Sequence, residues 1–276
     1  MADSNNMSDL WKRLRFVLIG IIVYRIGTHI PIPGIDPQRL SSLFDQNQGT
    51  ILELFNLFSG GALERMSIFA LNVVPYISAA IIMQLFSNSI PYLIELKKDG
   101  QAGRNAITQY TRYGTVLLAF IQASALAVTL SSGGLAYNPG TAFFVSAVFS
   151  VVAGTIFLMW LGEQISERGI GNGISIIIAT SILTGIPSAI GQALEQARQG
   201  DLNILMLLSI GVLAMVVIAV VVFIERGQRR ITVNYAQRQQ GRKLMQAQAS
   251  HLPFKVNMSG VIPAIFASTF LLFPAS

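Results

Sequence analysis

Residues 51–58 read ILELFNLF, residues 59–61 are Ser59-Gly60-Gly61, and residues 62–86 read ALERMSIFALNVVPYISAAIIMQLF. The first apolar piece has eight residues, which as a helix is about 12 Å long at 1.5 Å per residue, against a hydrocarbon core of roughly 30 Å. It is too short to span. The second piece is long enough to cross, with Pro75 inside it. Irregular backbone beside a short apolar segment has to be satisfied by protein or by a water-lined cavity, because hydrocarbon offers no hydrogen bonds. The break at Ser59-Gly60-Gly61 therefore points to a cavity-lining membrane protein, a channel or a carrier.

Composition agrees. Apolar residues make up 52% of the 276, charged residues 12%, and mean hydropathy is +0.57. With no cysteine, neither a disulfide framework nor a thiolate metal site or nucleophile is expected. His29 and His251 stand far apart, and no cofactor or metal site is anticipated. No signal peptide is evident, since the first ten residues are polar and no small-residue cleavage site follows the first apolar run.

Apolar runs occur at about 16–32, 68–86, 115–130, 142–161, 174–190 and 202–224, with another beginning near 261. That pattern predicts an all-α polytopic membrane protein with six spans and part of a seventh. Threaded with the N-terminus inside, the cytoplasmic segments are 1–15, 87–114, 162–173 and 225–260. Fifteen of the 19 Lys and Arg then lie inside, leaving Arg25, Arg39, Arg65 and Arg198 elsewhere. This is the positive-inside asymmetry, and it assigns the net charge of +6 to a basic cytoplasmic face. Arg25, near the outer end of its run, is expected to snorkel. No span carries Asp, Glu or Lys near its middle, which argues against an ion-coupled transporter.

Two motifs remain. Glu167-Arg168-Gly169-Ile170-Gly171-Asn172-Gly173 precedes the fifth span; it contains neither GxGxxG nor GxxxxGK[ST], so it reads as a tight turn that lets helices approach closely. In the 225–257 loop, Ile231, Val233 and Tyr235 alternate with polar residues, and Gln239-Gln240-Gly241 predicts a hairpin turn. Arg238, Arg242 and Lys243 surround that turn. They suit first an ordinary solvated basic loop obeying the positive-inside rule; a projecting tip there would grip RNA phosphates or, equally, an acidic protein surface. Ser78, Gln84, Gln122 and Asn257 are uncharged polar residues in or beside the spans, either static interhelical glue or contacts between helices that part.

Several long strings are similar to the bacterial SecY family of translocase channel subunits: IPIPGID (30–36), FNLFSGGALERMSIFALNVVPYISA (55–79), QYTRYGT (109–115), MWLGEQISERGIGNGISIII (159–178), ERGQRRITVNYAQRQQGRK (225–243) and KVNMSGVIPAIFAS (255–268). The resemblance implies ten spans in two halves. Residues 1–195 would be the N-terminal half and 196–276 the start of the second, so the seventh span is incomplete here. It implies a passive channel for unfolded secretory chains with lateral release of hydrophobic segments, and no enzyme activity.

By position, the resemblance makes about 55–65 a short re-entrant plug helix, with Phe55, Asn56, Phe58, Ser59, Gly60, Gly61 and Arg65. It makes Val73, Ile77, Ile174, Ile178 and Ile265 an aliphatic pore ring. The i,i+4 spacing of the first two pairs puts each pair on one helical face, although ordinary core aliphatics have that spacing too. Ser78, Gln122 and Asn257 become lateral-gate contacts. Arg104, Arg238, Arg242 and Lys243 become contacts for the ribosome, through ribosomal RNA phosphates, or for the SecA motor. The implied partners also include SecE, SecG, signal sequences, nascent chains and membrane lipids, and the implied location is the bacterial inner membrane.

Overall fold

A computed structural model describes residues 2–36, 39–40, 56, 59–199, 204–233, 239–240, 243–244 and 250–255. The chain divides into two compact units, residues 1–190 and 191–276. The described helices are α1 (Ala2–Gly27), α2 (Val74–Ser89), α3 (Pro91–Lys98), α4 (Gln101–Ser132), α5 (Thr141–Arg168), α6 (Gly173–Gln199) and α7 (Ile204–Arg226). Among them α4, α5, α6 and α7 are each long and apolar enough to cross a membrane, and α2 with α3 forms a further pair bent by 94°. The expected count of six is thus four or five among the described residues. The expected seventh run, from 261, lies outside them.

The second run departs most from expectation. Residues 60–73 form a succession of turns, with helix beginning only at Val74. Pro75 therefore lies in the first turn of α2, where its missing N–H costs no intrahelical bond, and not inside a longer span. The 16 residues of α2 reach only about 24 Å, and Pro91 starts α3 after the bend at Ile90. Met66 and Asn72 take left-handed backbone, at φ +42° and +48°, which interrupts any helix across 62–73.

In the first unit, α5 is the central helix. It buries Phe143, Ala147, Val148, Val151, Leu158, Leu161 and Ile165 among others. Helix α4 lies against it and α2 through a stripe of small residues at every fourth position: Thr111, Thr115, Ala119, Ala123 and Ala127. That spacing keeps one ridge facing its neighbours, and the small side chains permit close approach. Thr111 and Thr115 Oγ1 donate to Ile107 O (2.9 Å) and Thr111 O (2.8 Å), so neither hydroxyl is stranded. At the polar end of the pair, Arg112 Nε and Nη2 reach Glu163 Oε1 and Oε2 at 2.8 and 2.9 Å.

The segment carrying IPIPGID is stitched between two others. Ile32 N–H donates to Met66 O (2.8 Å), Ile68 N–H to Ile30 O (3.0 Å) and Tyr137 N–H to Gly34 O (3.0 Å). Ile32, Ile35, Met66, Ala70, Leu135 and Ala136 join the α4–α5 core there. The GIGNG turn before α6 behaves as its composition predicts. Gly162 and Gly173 face one another with no room for a Cβ on Gly173, and Asn172 Oδ1 caps α6 by accepting from Ile174 and Ser175 N–H (3.0 and 3.2 Å).

In the second unit, β1 (Gln228–Val233) pairs antiparallel with β4 (Ser250–Lys255), Gln228 opposite Lys255 and Val233 opposite Ser250. Inside this ladder β2 (Gln239–Gln240) pairs with β3 (Lys243–Leu244). The expected antiparallel pairing is present, but Gln239 and Gln240, expected in the turn, are paired as strand β2, and Gly241 lies outside the described residues. In a two-stranded ladder both strands are edges, so Pro253 is accommodated in β4. Helix α7 has no buried residue in its most apolar window.

A methyl group added at Gly154 would strike the Ile68 carbonyl and carbon, which are backbone and cannot swing away. Gly154→Ala is expected to cost about 1–3 kcal/mol, read as a lower melting midpoint in detergent. Gly191→Ala, with nothing within 4 Å of the new methyl, should be neutral or stabilising by up to ~1 kcal/mol. Equal midpoints for the two variants would show that the 60–73 turns are not held on α5.

Candidate functional site

Val73 caps the start of α2 and is almost wholly buried. Ile77 lies one turn further, its N–H donating to Val73 O at 3.0 Å. Ile174 and Ile178 occupy the first two turns of α6. The structure brings these four into one apolar cluster, around Val17 and Tyr24 of α1, Ala62 and Phe69 of the turns, Leu158, Leu161 and Ile165 of α5, and Ile177 of α6. Val73 is enclosed, whereas Ile77, Ile174 and Ile178 are half-buried at the margin. The fifth expected member, Ile265, lies outside the described residues.

The Ser59-Gly60-Gly61 break packs over this cluster. Ser59 and Gly60 are buried and Ala62 is fully enclosed. Ser59 Oγ donates to Asn56 O (2.9 Å) and accepts from Leu63 N–H (3.1 Å). Asn56 clamps the outer side, Oδ1 accepting from Glu64 N–H and Nδ2 donating to Glu64 Oε2, both at 3.0 Å. The expected short helix over 55–65 is not continued among the described residues: backbone beyond Ser59 turns at Gly60 (φ +66°) and Gly61 (φ +79°) and stays in turns. Phe55 and Phe58 lie outside them.

Arg25 has a partner that the sequence reading did not include. Its Nη1 donates to Gly60 O at 3.1 Å, so it bonds the break. Arg65 Nη1 meets His29 Nε2 at 2.9 Å, and His29 Nδ1 meets Arg25 O at 2.8 Å. A second set was not anticipated at all. Tyr24 Oη lies 2.6 Å from Ser181 Oγ and donates to Ser59 O (3.2 Å), and Asn72 Nδ2 donates to Ser181 Oγ (3.1 Å). Tyr24, Asn72 and Ser181 occur singly in apolar runs, so only the fold reveals their meeting.

Among the expected gate residues, Ser78 on α2 has a buried hydroxyl with no hydrogen-bond partner among the described residues, Gln122 on α4 is half-buried, and Asn257 is not described. Arg104 is exposed in the first turn of α4, Lys243 begins β3, and Arg238 and Arg242 lie outside the described residues. No group of three or more His, Asp or Glu among the described residues could hold a metal ion.

A helical protein with four helices long and apolar enough to cross a membrane, and a glycine-broken segment packed on an aliphatic cluster, belongs to the class of polytopic membrane proteins. Comparison with known proteins gives the family. A family model described as SecY matches residues 67–276. The chain is 63% identical over 274 residues to "Protein translocase subunit SecY" of Pseudomonas aeruginosa, covering 99% of this chain and 62% of that protein. It is 59% identical over 279 residues to the Escherichia coli K12 protein of the same name, covering 100% of this chain and 63% of the relative. The chain belongs to the SecY family, and it spans about three fifths of the length of those two relatives. The fold is similar to "The structure of a protein conducting channel", with TM-score 0.67 and 21% identity over 95% of this chain and 56% of that one. It is likewise similar to "Sec61 in the Canine ribosome-channel complex from the endoplasmic reticulum", with TM-score 0.66 and 19% identity over 95% and 56%.

Gly60 combines left-handed backbone with a position where an added Cβ would sit 3.1 Å from Ser181 Cα. Gly60→Ala is expected to cost about 1–2 kcal/mol locally and to speed amide hydrogen exchange across 59–67 by roughly 5–30-fold. Gly140→Ala, with open space and extended backbone, should leave that exchange unchanged. No acceleration for Gly60→Ala would mean the break is not held in this conformation.

Proposed function

We propose that this chain is the larger part of a protein-conducting channel subunit, which passes unfolded polypeptides across a membrane and releases hydrophobic segments sideways into lipid. The observation that carries the reading is the convergence of Val73, Ile77, Ile174 and Ile178 on one cluster beneath the folded-back break at 59–61. Branched aliphatics at a constriction exclude water and so resist ion flow, yet yield around a moving chain. The break then acts as a plug, and Ile265 joins the ring from the seventh span.

The finer assignments follow from family and charge. Fifteen Lys and Arg on one set of loops favour a cytoplasmic N-terminus in a bacterial inner membrane. The basic run that includes Arg238, Arg242 and Lys243, and separately the exposed Arg104, would supply charge for contact with the ribosome or a SecA-type motor. One of the similar structures is titled as a ribosome–channel complex. SecE and SecG would complete the channel. With no catalytic constellation of its own, the channel takes its driving force from such a partner. Ser78 and Gln122 fit a seam that parts, and Asn257 would face them from the seventh span.

Replacing both Ile77 and Ile178 with Asn in the full-length channel is expected to raise resting ion conductance by about tenfold or more, as water enters the constriction. Unchanged conductance would sink the ring assignment. Charge reversal at Arg238 and Arg242 should weaken ribosome or motor binding, with the deficit shrinking as salt rises because the lost attraction is screened. A deficit insensitive to salt, or none, would return the hairpin to an ordinary solvated loop.

A further inference from the structure

The apolar cluster encloses a polar junction that the channel reading does not explain. Tyr24, Asn72, Ser59 and Ser181 are each at most 3% exposed, and they come from α1, the turns, the break and α6. Their bonds join positions 35, 109 and 157 residues apart in sequence. Ser181 Oγ donates to Ile177 O (2.9 Å) in its own helix, which leaves its lone pairs to accept from Tyr24 Oη and Asn72 Nδ2. The single Tyr24 proton is then shared, at 2.6 Å with Ser181 and at 3.2 Å with the Ser59 carbonyl.

Position gives the junction its meaning. Asn72 immediately precedes the ring residue Val73, and Ser181 lies one turn beyond the ring residue Ile178. The two strands of the constriction thus carry both the apolar ring and the polar tier beside it. Apolar contacts tolerate sliding. A hydrogen bond of 2.6 Å does not, and a buried hydroxyl left unmatched is costly. Any outward movement of α6 that widens the cluster at Ile174 and Ile178 draws Ser181 away from Tyr24 and Asn72. It also moves Ser181 and Thr184 away from Gly60, which packs so closely on them that an added Cβ would lie 3.1–3.2 Å from their atoms.

The geometry points to Tyr24, Asn72 and Ser181 as a polar latch that positions the 59–62 segment and ties its seating to the closed spacing of α1, α2 and α6. This rests on the plug reading of that segment. The three are positioning residues: they hold the break through the Ser59 carbonyl and the Gly60 packing surface, and a translocating chain that spreads the ring undoes them together. Arg25, bonded to Gly60 O from the outer side, holds the same turn without touching the ring.

The test uses the full-length channel with its partner subunits in membrane vesicles. Ala62→Cys places a thiol at a fully enclosed position, residues 1–276 having no cysteine, on a background in which any cysteine elsewhere in the channel or its partners is replaced by serine. Its rate of reaction with a membrane-impermeant maleimide from the outer side is measured at rest and with a polypeptide arrested in transit. Tyr24→Phe, which deletes only the hydroxyl, is expected to raise the resting rate by roughly 5–30-fold, the effect of one or two lost buried hydrogen bonds. Ser181→Ala should do the same, and the double variant should add little to either. The rate with arrested polypeptide should be unchanged in all of them, which a general loosening of the fold would not give. A thiol protected at rest and exposed in transit, but indifferent to Tyr24→Phe and Ser181→Ala, overturns the latch and leaves the plug. A thiol whose reactivity is the same at rest and in transit overturns the plug reading and the latch with it.

Discussion

Between Gly60 and Val73 the backbone is not helical, yet it lies among helices apolar enough to sit in hydrocarbon, so its peptide groups must be satisfied by the protein itself. Much of the first unit answers that requirement. The segment 30–36 supplies backbone partners on one side, exchanging bonds between Ile32 and Met66 and between Ile68 and Ile30. Gly154 lets the Ile68 carbonyl press directly on α5. Asn56 O accepts from Ser59 Oγ and Gly61 N–H, Arg25 donates to Gly60 O, and Tyr24 donates to Ser59 O. Without these partners, each stranded group in an apolar setting would cost on the order of 1–3 kcal/mol.

The aliphatic cluster and the polar tier divide the work. Dispersion and burial hold Val73, Ile77, Ile174 and Ile178 near one another but specify no single arrangement, since branched side chains repack at little cost. The hydrogen bonds among Tyr24, Asn72, Ser59 and Ser181 specify one arrangement and lose their strength steeply with distance. On the proposed channel reading, a seal that closes reproducibly and yields to a passing chain needs both kinds of contact. Tyr24 also stacks with Phe69 at 6.1 Å, and Phe69 with Phe157 at 5.9 Å, so the junction is braced by rings on its apolar side.

Helix–helix contact rests on small residues. The Thr111–Ala127 stripe and the facing pair Gly162 and Gly173 bring backbones close where water is absent and the hydrophobic effect gives little drive for association. The Arg112–Glu163 pair adds geometric register between α4 and α5 more than stability, because one partner is nearly half exposed.

Apolar run lengths, the Lys and Arg bias and the i,i+4 pairs Val73/Ile77 and Ile174/Ile178 were legible from the sequence, because each depends on local composition or a fixed period. The tight GIGNG turn and the hairpin were legible for the same reason, and the long matched strings placed Val73, Ile77, Ile174 and Ile178 as candidates. The start of α2 was not, because left-handed backbone at Met66 and Asn72 has no signature in an apolar run that also suits a span. Nor was the bond from Arg25 to Gly60, or the meeting of Tyr24 with Ser181 across 157 residues. The sequence by itself determined that the chain is a broken-helix membrane protein with a basic face, since hydrophobicity and charge act residue by residue. Only the tertiary structure decided which polar groups satisfy the break, because hydrogen-bond partners distant in sequence are chosen by packing.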